Sequence, residues 1–289
     1  MNAKTVIKYK AIALALIAVL LFSGCKDFLE RDAYDQFSAE GVETLEQYQN
    51  LTGALYGGRM WIGYHSKFNW AVNEGLPGNL LNIYDEEGAL FLGRVGATNV
   101  HLSDGYRSLF AGVISAANFI INKPKPTLTE EEAKMVEAEA KMFRGLAYFL
   151  ATEYWGEVPL IRNNEFVIAN KINVPKADRK TLYKAIELDW LFAAKYLPED
   201  RNWRPGRASK WSAQGMLAKL YLTMASCQAD LSAYEGDREP FIVDTPDYYY
   251  DKVIAYADSV IRYSGATLVS YAEIFAITNR MHNPSNEAL

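Results

Sequence analysis

Only two cysteines, Cys25 and Cys227, and three histidines, His65, His101 and His282, occur in 289 residues. The histidines lie far apart in the chain, and no metal-ligand spacing joins them. Gly-x-Ser-x-Gly, Walker and dinucleotide-binding fingerprints are all missing, which removes the chemistries they serve. Positive charge is not in excess: 30 Lys and Arg against 35 Asp and Glu leave a formal charge of −5. Nucleic-acid-binding domains are usually basic, so no nucleic-acid partner is expected. Past Phe22 there is no second long apolar run, and nothing else reads as a membrane span. Glycosidases set two carboxylates across a bond. The acidic cluster Asp85, Glu86 and Glu87, and Glu153 with Glu157, have a spacing no different from that of solvated charges. Neither an enzymatic activity nor a cofactor is expected.

The first residues carry the clearest local pattern. Lys4, Lys8 and Lys10 precede an unbroken apolar run, Ala11 to Phe22. At about 1.5 Å per residue this run falls well short of a hydrocarbon core of roughly 30 Å. It fits the apolar region of a signal peptide. Ser23-Gly24-Cys25 follows at once and resembles the lipobox of bacterial lipoproteins, in which the cysteine is acylated and the chain is cut before it. With Cys25 lipidated, Cys227 has no intramolecular disulfide partner. Asp27, Glu30, Asp32 and Asp35 then form an acidic stretch that resembles the surface-export signal of Bacteroidetes lipoproteins. The expected organisation is a signal peptide over 1–24, an acidic tether over 25–40 and one folded domain over 41–289. A single acyl chain binds a membrane only marginally, so stable anchoring implies more than one chain on Cys25.

The rest of the chain is half apolar and rich in rings, with 19 Tyr, 13 Phe and 6 Trp. Rings at this density serve a helical core, or the flat apolar faces of sugars. Helical spacing dominates. Glu130–Tyr154 follows a Thr129/Glu132 capping box and carries Val136, Ala140, Phe143, Ala147, Leu150 and Tyr154 on one stripe. Further helices are expected over Thr181–Leu197, Ser209–Ala225 and Tyr248–Tyr263, the last with Tyr250, Ile254, Ala257 and Ile261 aligned. Tyr106–Ile121 and Leu45–Arg59 complete the set, the latter weakened by Gly53, Gly57 and Gly58. Short strand-like pieces occur at Val158–Ile161 and Phe166–Ile168. Trp61–Leu102 and Gln228–Asp247 show little periodicity and read as long connectors. The expected fold is mainly α: tetratricopeptide-like helix pairs with long irregular loops.

Several motifs now fall in one order. They are Glu137-Ala-Glu-Ala-Lys-Met-Phe-Arg144, Tyr148-Phe149 and Tyr154-Trp-Gly-Glu-Val-Pro-Leu-Ile161, then Ile186-Glu-Leu-Asp-Trp190 and Ser209-Lys-Trp-Ser-Ala213. Leu217–Leu222, Tyr256–Ile261, Tyr271–Phe275 and Asn286-Glu287 follow. Together they resemble the SusD/RagB family of glycan-binding outer-membrane lipoproteins. Members of that family are about twice as long, so the chain reads as an amino-terminal portion lacking the carboxy-terminal half. The resemblance implies a cell-surface protein, lipid-anchored in the outer membrane, that captures an oligosaccharide. It hands this on to a SusC-like TonB-dependent transporter.

The family's binding site draws on aromatic and Asn residues after the first helix. Here that implicates Trp61 and Trp70 as stacking rings, Asn73 and Asn79 as hydroxyl partners, and Tyr84 beside them. Trp61 could instead cover the helix before it, and Asn79 could be a turn residue after Pro77-Gly78. Phe143, Arg144, Tyr148 and Trp155 read as residues that hold the fold. The alternative function is a helical-repeat scaffold or peptide-binding subunit of the same type of transporter, with no sugar site.

Overall fold

A computed structural model describes residues 41–79, 85–96, 98–204, 206–231, 245–268 and 270–274. The chain divides into two units, Met1–Val42 and Glu43–Leu289. Cys25, the acidic tether and Tyr84 lie outside the described residues, as does most of the Gln228–Asp247 connector. Among the described residues no helix is long and apolar enough to cross a membrane.

The second unit is built on α6, Glu130–Trp155. Before it come α1 (Leu45–Ala54), α2 (Gly58–Gly63), α3 (Asp85–Phe91), α4 (Val100–Arg107) and α5 (Ser115–Asn122). After it come β1 (Val158–Pro159), α7 (Asn164–Ala169), β2 (Lys176–Ala177), α8 (Arg179–Tyr196), α9 (Lys210–Leu231), α10 (Pro246–Tyr263) and α11 (Tyr271–Ile274). The two short strands pair antiparallel, Val158 with Ala177. The capping box forms as expected: the Glu132 amide donates to Thr129 Oγ1 at 3.3 Å and the Thr129 amide to Glu132 Oε2 at 2.9 Å. Glu130, Glu131 and Glu132 complement the positive end of the α6 dipole.

Small residues set the packing distances. Ala140, Ala147 and Ala151 on α6 are fully buried, and a Cβ on Gly145 would sit 2.5 Å from Trp190 Nε1. The missing Cβ lets Trp190 of α8 lie against the α6 backbone, where its Nε1 donates to the Met142 carbonyl at 3.1 Å. α6 packs along α8, α8 against α9 and α9 along α10, and α5 also packs on α6. Helices stacked on their sequence neighbours are what the tetratricopeptide-like reading predicts.

Four expectations are corrected. Phe166–Ile168 is not a strand but part of α7, started by Asn163 Oδ1, which accepts from the Phe166 amide at 2.9 Å. The Trp61–Leu102 connector is largely helical. α2 runs into π-helical turns at Tyr64–Phe68, kinked at Ser66 where ψ is −119°, and at Ala71–Gly75, and wider turns with a kink break a 3.6-residue pattern. The Tyr106–Ile121 helix starts earlier, at Val100, and crosses a third π-helical stretch at Ser108–Ile114. Finally, α10 turns a different face inward. Tyr249 and Val260 are buried, and Tyr249 and Tyr256 stack on Tyr221 of α9. The expected stripe points elsewhere, with Ile254 and Ile261 exposed at 64% and 74%.

Candidate functional site

The motif residues of α6 form a buried polar knot. Arg144 holds Asp189 of α8 through two parallel bonds, Nε to Oδ2 and Nη2 to Oδ1, both 2.7 Å. Its Nη1 donates to Asn118 Oδ1 at 2.9 Å. Asn118 Nδ2 in turn donates to the Ile161 carbonyl at 2.8 Å and to Asn164 Oδ1 at 2.7 Å. The Tyr148 hydroxyl donates to the Ile161 carbonyl at 2.9 Å and accepts from the Ile161 amide at 2.7 Å. Burial pushes the Tyr148 phenol up to about 12. A second knot ties α1 to α6 through Arg207, whose Nη1 donates to Thr52 Oγ1 of α1 at 2.9 Å. Glu139 Oε1 accepts from Arg207 Nη1 and from the Tyr56 hydroxyl, each at 2.7 Å. Arg144, Asp189, Asn118 and Glu139 are all buried, and both knots hold helices together.

The surface ahead of α3 is different in kind. Trp61 is only 4% exposed. Its Nε1 donates to the Leu55 carbonyl at 2.7 Å, and Tyr64, His65 and Phe143 surround its ring. It therefore covers the helix before it, and burial leaves no ring face for a ligand. Tyr64 and Phe68 are buried too. Phe68 stacks on Trp155 at 5.1 Å and meets Tyr154 edge-on. Gly105 makes room for it, since a Cβ there would sit 2.6 Å from the Phe68 ring.

Trp70 and Asn73 stand one turn beyond this wedge. Trp70 is half-buried and lies over Phe91 of α3 with ring centroids 6.2 Å apart and planes 29° apart. Gly75 admits Phe91 to that position, because a Cβ on residue 75 would be 2.1 Å from its ring. Asn73 is exposed. Its Oδ1 accepts from the Tyr154 hydroxyl at 3.0 Å, and its Nδ2 donates to Asn69 Oδ1 at 2.6 Å. An amide offers two N–H donors and two carbonyl lone pairs, so one of each remains after these bonds orient the group. Asn79 closes the turn beyond. Gly78 has φ +84°, the Asn79 amide donates to the Glu74 carbonyl at 3.0 Å, and Asn79 Nδ2 donates to Glu74 Oε2 at 3.1 Å. The family resemblance singled out Trp70 and Asn73, but not the parts of Phe91, Tyr154 and Asn69 in supporting them. Those are long-range packing, and only the i, i+4 pair Asn69/Asn73 left a trace in the sequence.

A family model described as starch-binding and associating with the outer membrane matches residues 27–222. A SusD-like protein of Bacteroides ovatus is 27% identical over 96% of this chain and 49% of its own length. SusD-like protein P25 of Formosa agariphila is 25% identical over 74% of this chain and 43% of its own. The chain thus spans about half the length of the curated relatives it matches. A structure solved with a xylogluco-oligosaccharide is 26% identical over 78% of this chain and 42% of that one, with a TM-score of 0.63. A laminarin-binding SusD-like protein is alike in fold alone, at 20% identity and a TM-score of 0.64, covering 83% of this chain and 50% of its own. With the motif order, the stacked helices and a matching model over most of the sequence, the chain belongs to the SusD-like family.

Proposed function

We propose that this protein captures oligosaccharides at the bacterial surface through Trp70 and Asn73. It delivers them to a TonB-dependent outer-membrane transporter, a plugged β-barrel. In this reading the 1–24 segment is an export signal, Cys25 carries the lipid that anchors the chain in the outer membrane, and 25–40 is its tether. The observation that carries the reading is a part-exposed indole one helical turn from an exposed, pre-oriented amide. An indole face covers the apolar C–H side of a pyranose, and the amide bonds an adjacent hydroxyl. Capture and release need no covalent chemistry. Asn79 and Tyr84 are secondary hydroxyl partners in the same proposal. Family membership and the relative with a bound xylogluco-oligosaccharide support the ligand class.

The burial of Trp61 and Tyr64 favours a second reading. It narrows the aromatic platform to Trp70, and a helical scaffold that binds the transporter or a peptide needs no platform at all. A screen of soluble polysaccharides by pull-down and calorimetry separates the two. Saturable binding to a glycan, weakened about tenfold or more in Trp70→Ala, a loss of at least about 1.4 kcal/mol, supports capture by stacking. No binding to any glycan by the folded chain leaves the scaffold reading.

A further inference from the structure

A concavity to which Trp70 does not contribute lies between the exit of β1 and the first turns of α8. It is an open cleft of about 490 Å³, within the size range of small-ligand sites. Leu160, Ala185 and Leu188 contribute apolar surface, and Leu188 is 49% exposed. Arg162, Lys180 and Lys184 supply three cations against the single carboxylate of Asp178. That carboxylate is already engaged, because Asp178 Oδ1 accepts from the Thr181 amide at 2.6 Å as the cap of α8. Lys184 pairs with Glu187 at 2.6 Å. Neither Arg162 nor Lys180 has an ion-pair partner within 4 Å among the described residues. A cationic cleft on a chain of net charge −5 runs against the protein's own charge balance.

Both walls are rigid. One is the α8 helix, where Thr181, Lys184, Ala185 and Leu188 recur at helical spacing on one face. The other is backbone pinned from below. The Ile161 amide donates to the Tyr148 hydroxyl, Asn118 Nδ2 donates to the Ile161 carbonyl, and Asn122 Nδ2 donates to the Arg162 carbonyl at 2.8 Å. The backbone that carries Leu160 and Arg162 is thus held before any ligand arrives, which leaves only side chains to be ordered on binding.

We propose that this cleft is a second carbohydrate subsite, selective for a sugar bearing an anionic group. A uronate carboxylate or a sulfate ester meets Arg162 and Lys180, while the apolar side of the ring lies on Leu160 and Leu188. This rests on the reading of the chain as a glycan binder but uses residues independent of Trp70.

The test is calorimetry on the full chain in mild detergent, at 25 and 300 mM NaCl. The ligands are a hexagalacturonate, a sulfated carrageenan oligosaccharide, a neutral laminarihexaose and inorganic sulfate. The expected result is saturable binding of at least one anionic oligosaccharide, weakened by salt. Arg162→Gln with Lys180→Gln weakens it about tenfold or more and leaves laminarihexaose binding unchanged. The galacturonate and carrageenan arms tell which anion is read. Both substituted residues are exposed, so melting temperature confirms folding. Loss of laminarihexaose binding in Trp70→Ala, with no anionic oligosaccharide bound, overturns the subsite and leaves the proposed function standing. Inorganic sulfate bound as tightly as the oligosaccharides also overturns it, since the sugar body is then not recognised.

Discussion

Replacing Arg144 by Met removes the centre of the larger polar knot. The side chains of Arg144 and Asp189 are 4% and 6% exposed, so the substitution leaves a carboxylate in the interior without its counter-ion. Two charge-assisted bonds to Asp189 and one to Asn118 Oδ1 disappear together. Breaking one side of a buried pair costs about 3–5 kcal/mol, mostly from the orphaned charge. For a unit of this size each kcal/mol corresponds to about 2–4 °C, so melting followed by circular dichroism should drop by roughly 6–20 °C. The double variant Arg144→Met with Asp189→Leu removes the orphan and should recover most of that fall. A single-variant loss below about 1 kcal/mol, or a double variant no more stable than the single, would refute the reasoning.

Other perturbations separate packing from surface. Gly145→Val drives a branched side chain into Trp190 Nε1, 2.5 Å from where its Cβ must sit, and urea titration should show a loss of about 1–3 kcal/mol or more. Trp61→Ala empties a buried site and breaks the bond to Leu55. It should cost about 3–5 kcal/mol in stability, where Trp70→Ala costs less stability and more glycan affinity. Alkaline titration should unfold the protein early. The folded state holds the Tyr148 proton to about pH 12, whereas an exposed phenol releases it near 10.0. The folded state therefore binds more protons in that window, and stability is present below pH 10 and lost on the way to pH 12, by roughly 3 kcal/mol from Tyr148 alone. A Tyr148→Phe chain should show a shallower decline. Tyr56, Tyr183 and Tyr221 are shifted upward too, by burial first and then by Glu139, Glu153 and Glu187 respectively, and keep part of the slope.

Much of the helical ladder was legible in the linear chain because its determinants are local. The Thr129/Glu132 capping box and the 3.6-residue stripe of α6 depend on neighbours within a turn or two. The run of motifs that resembled one family was likewise written in the order of residues. What the sequence could not decide was which face of a helix finds a neighbour. In α10 the stripe Tyr250, Ile254, Ala257 and Ile261 is as apolar as the face that is actually buried. Only the stacking of Tyr249 and Tyr256 on Tyr221 settles the choice. The same holds at the surface ahead of α3. π-Helical turns shift side chains by a residue per turn, so Trp61 goes inside and Trp70 stays half outside although both are tryptophans in one connector. Composition and spacing thus determined the fold class and the caps, and the family resemblance named the candidate set of rings. The surroundings of these side chains depend on residues far along the chain, such as Phe91, 21 positions from Trp70, and Tyr154, 81 positions from Asn73. Only the tertiary structure could decide which of those rings meets solvent.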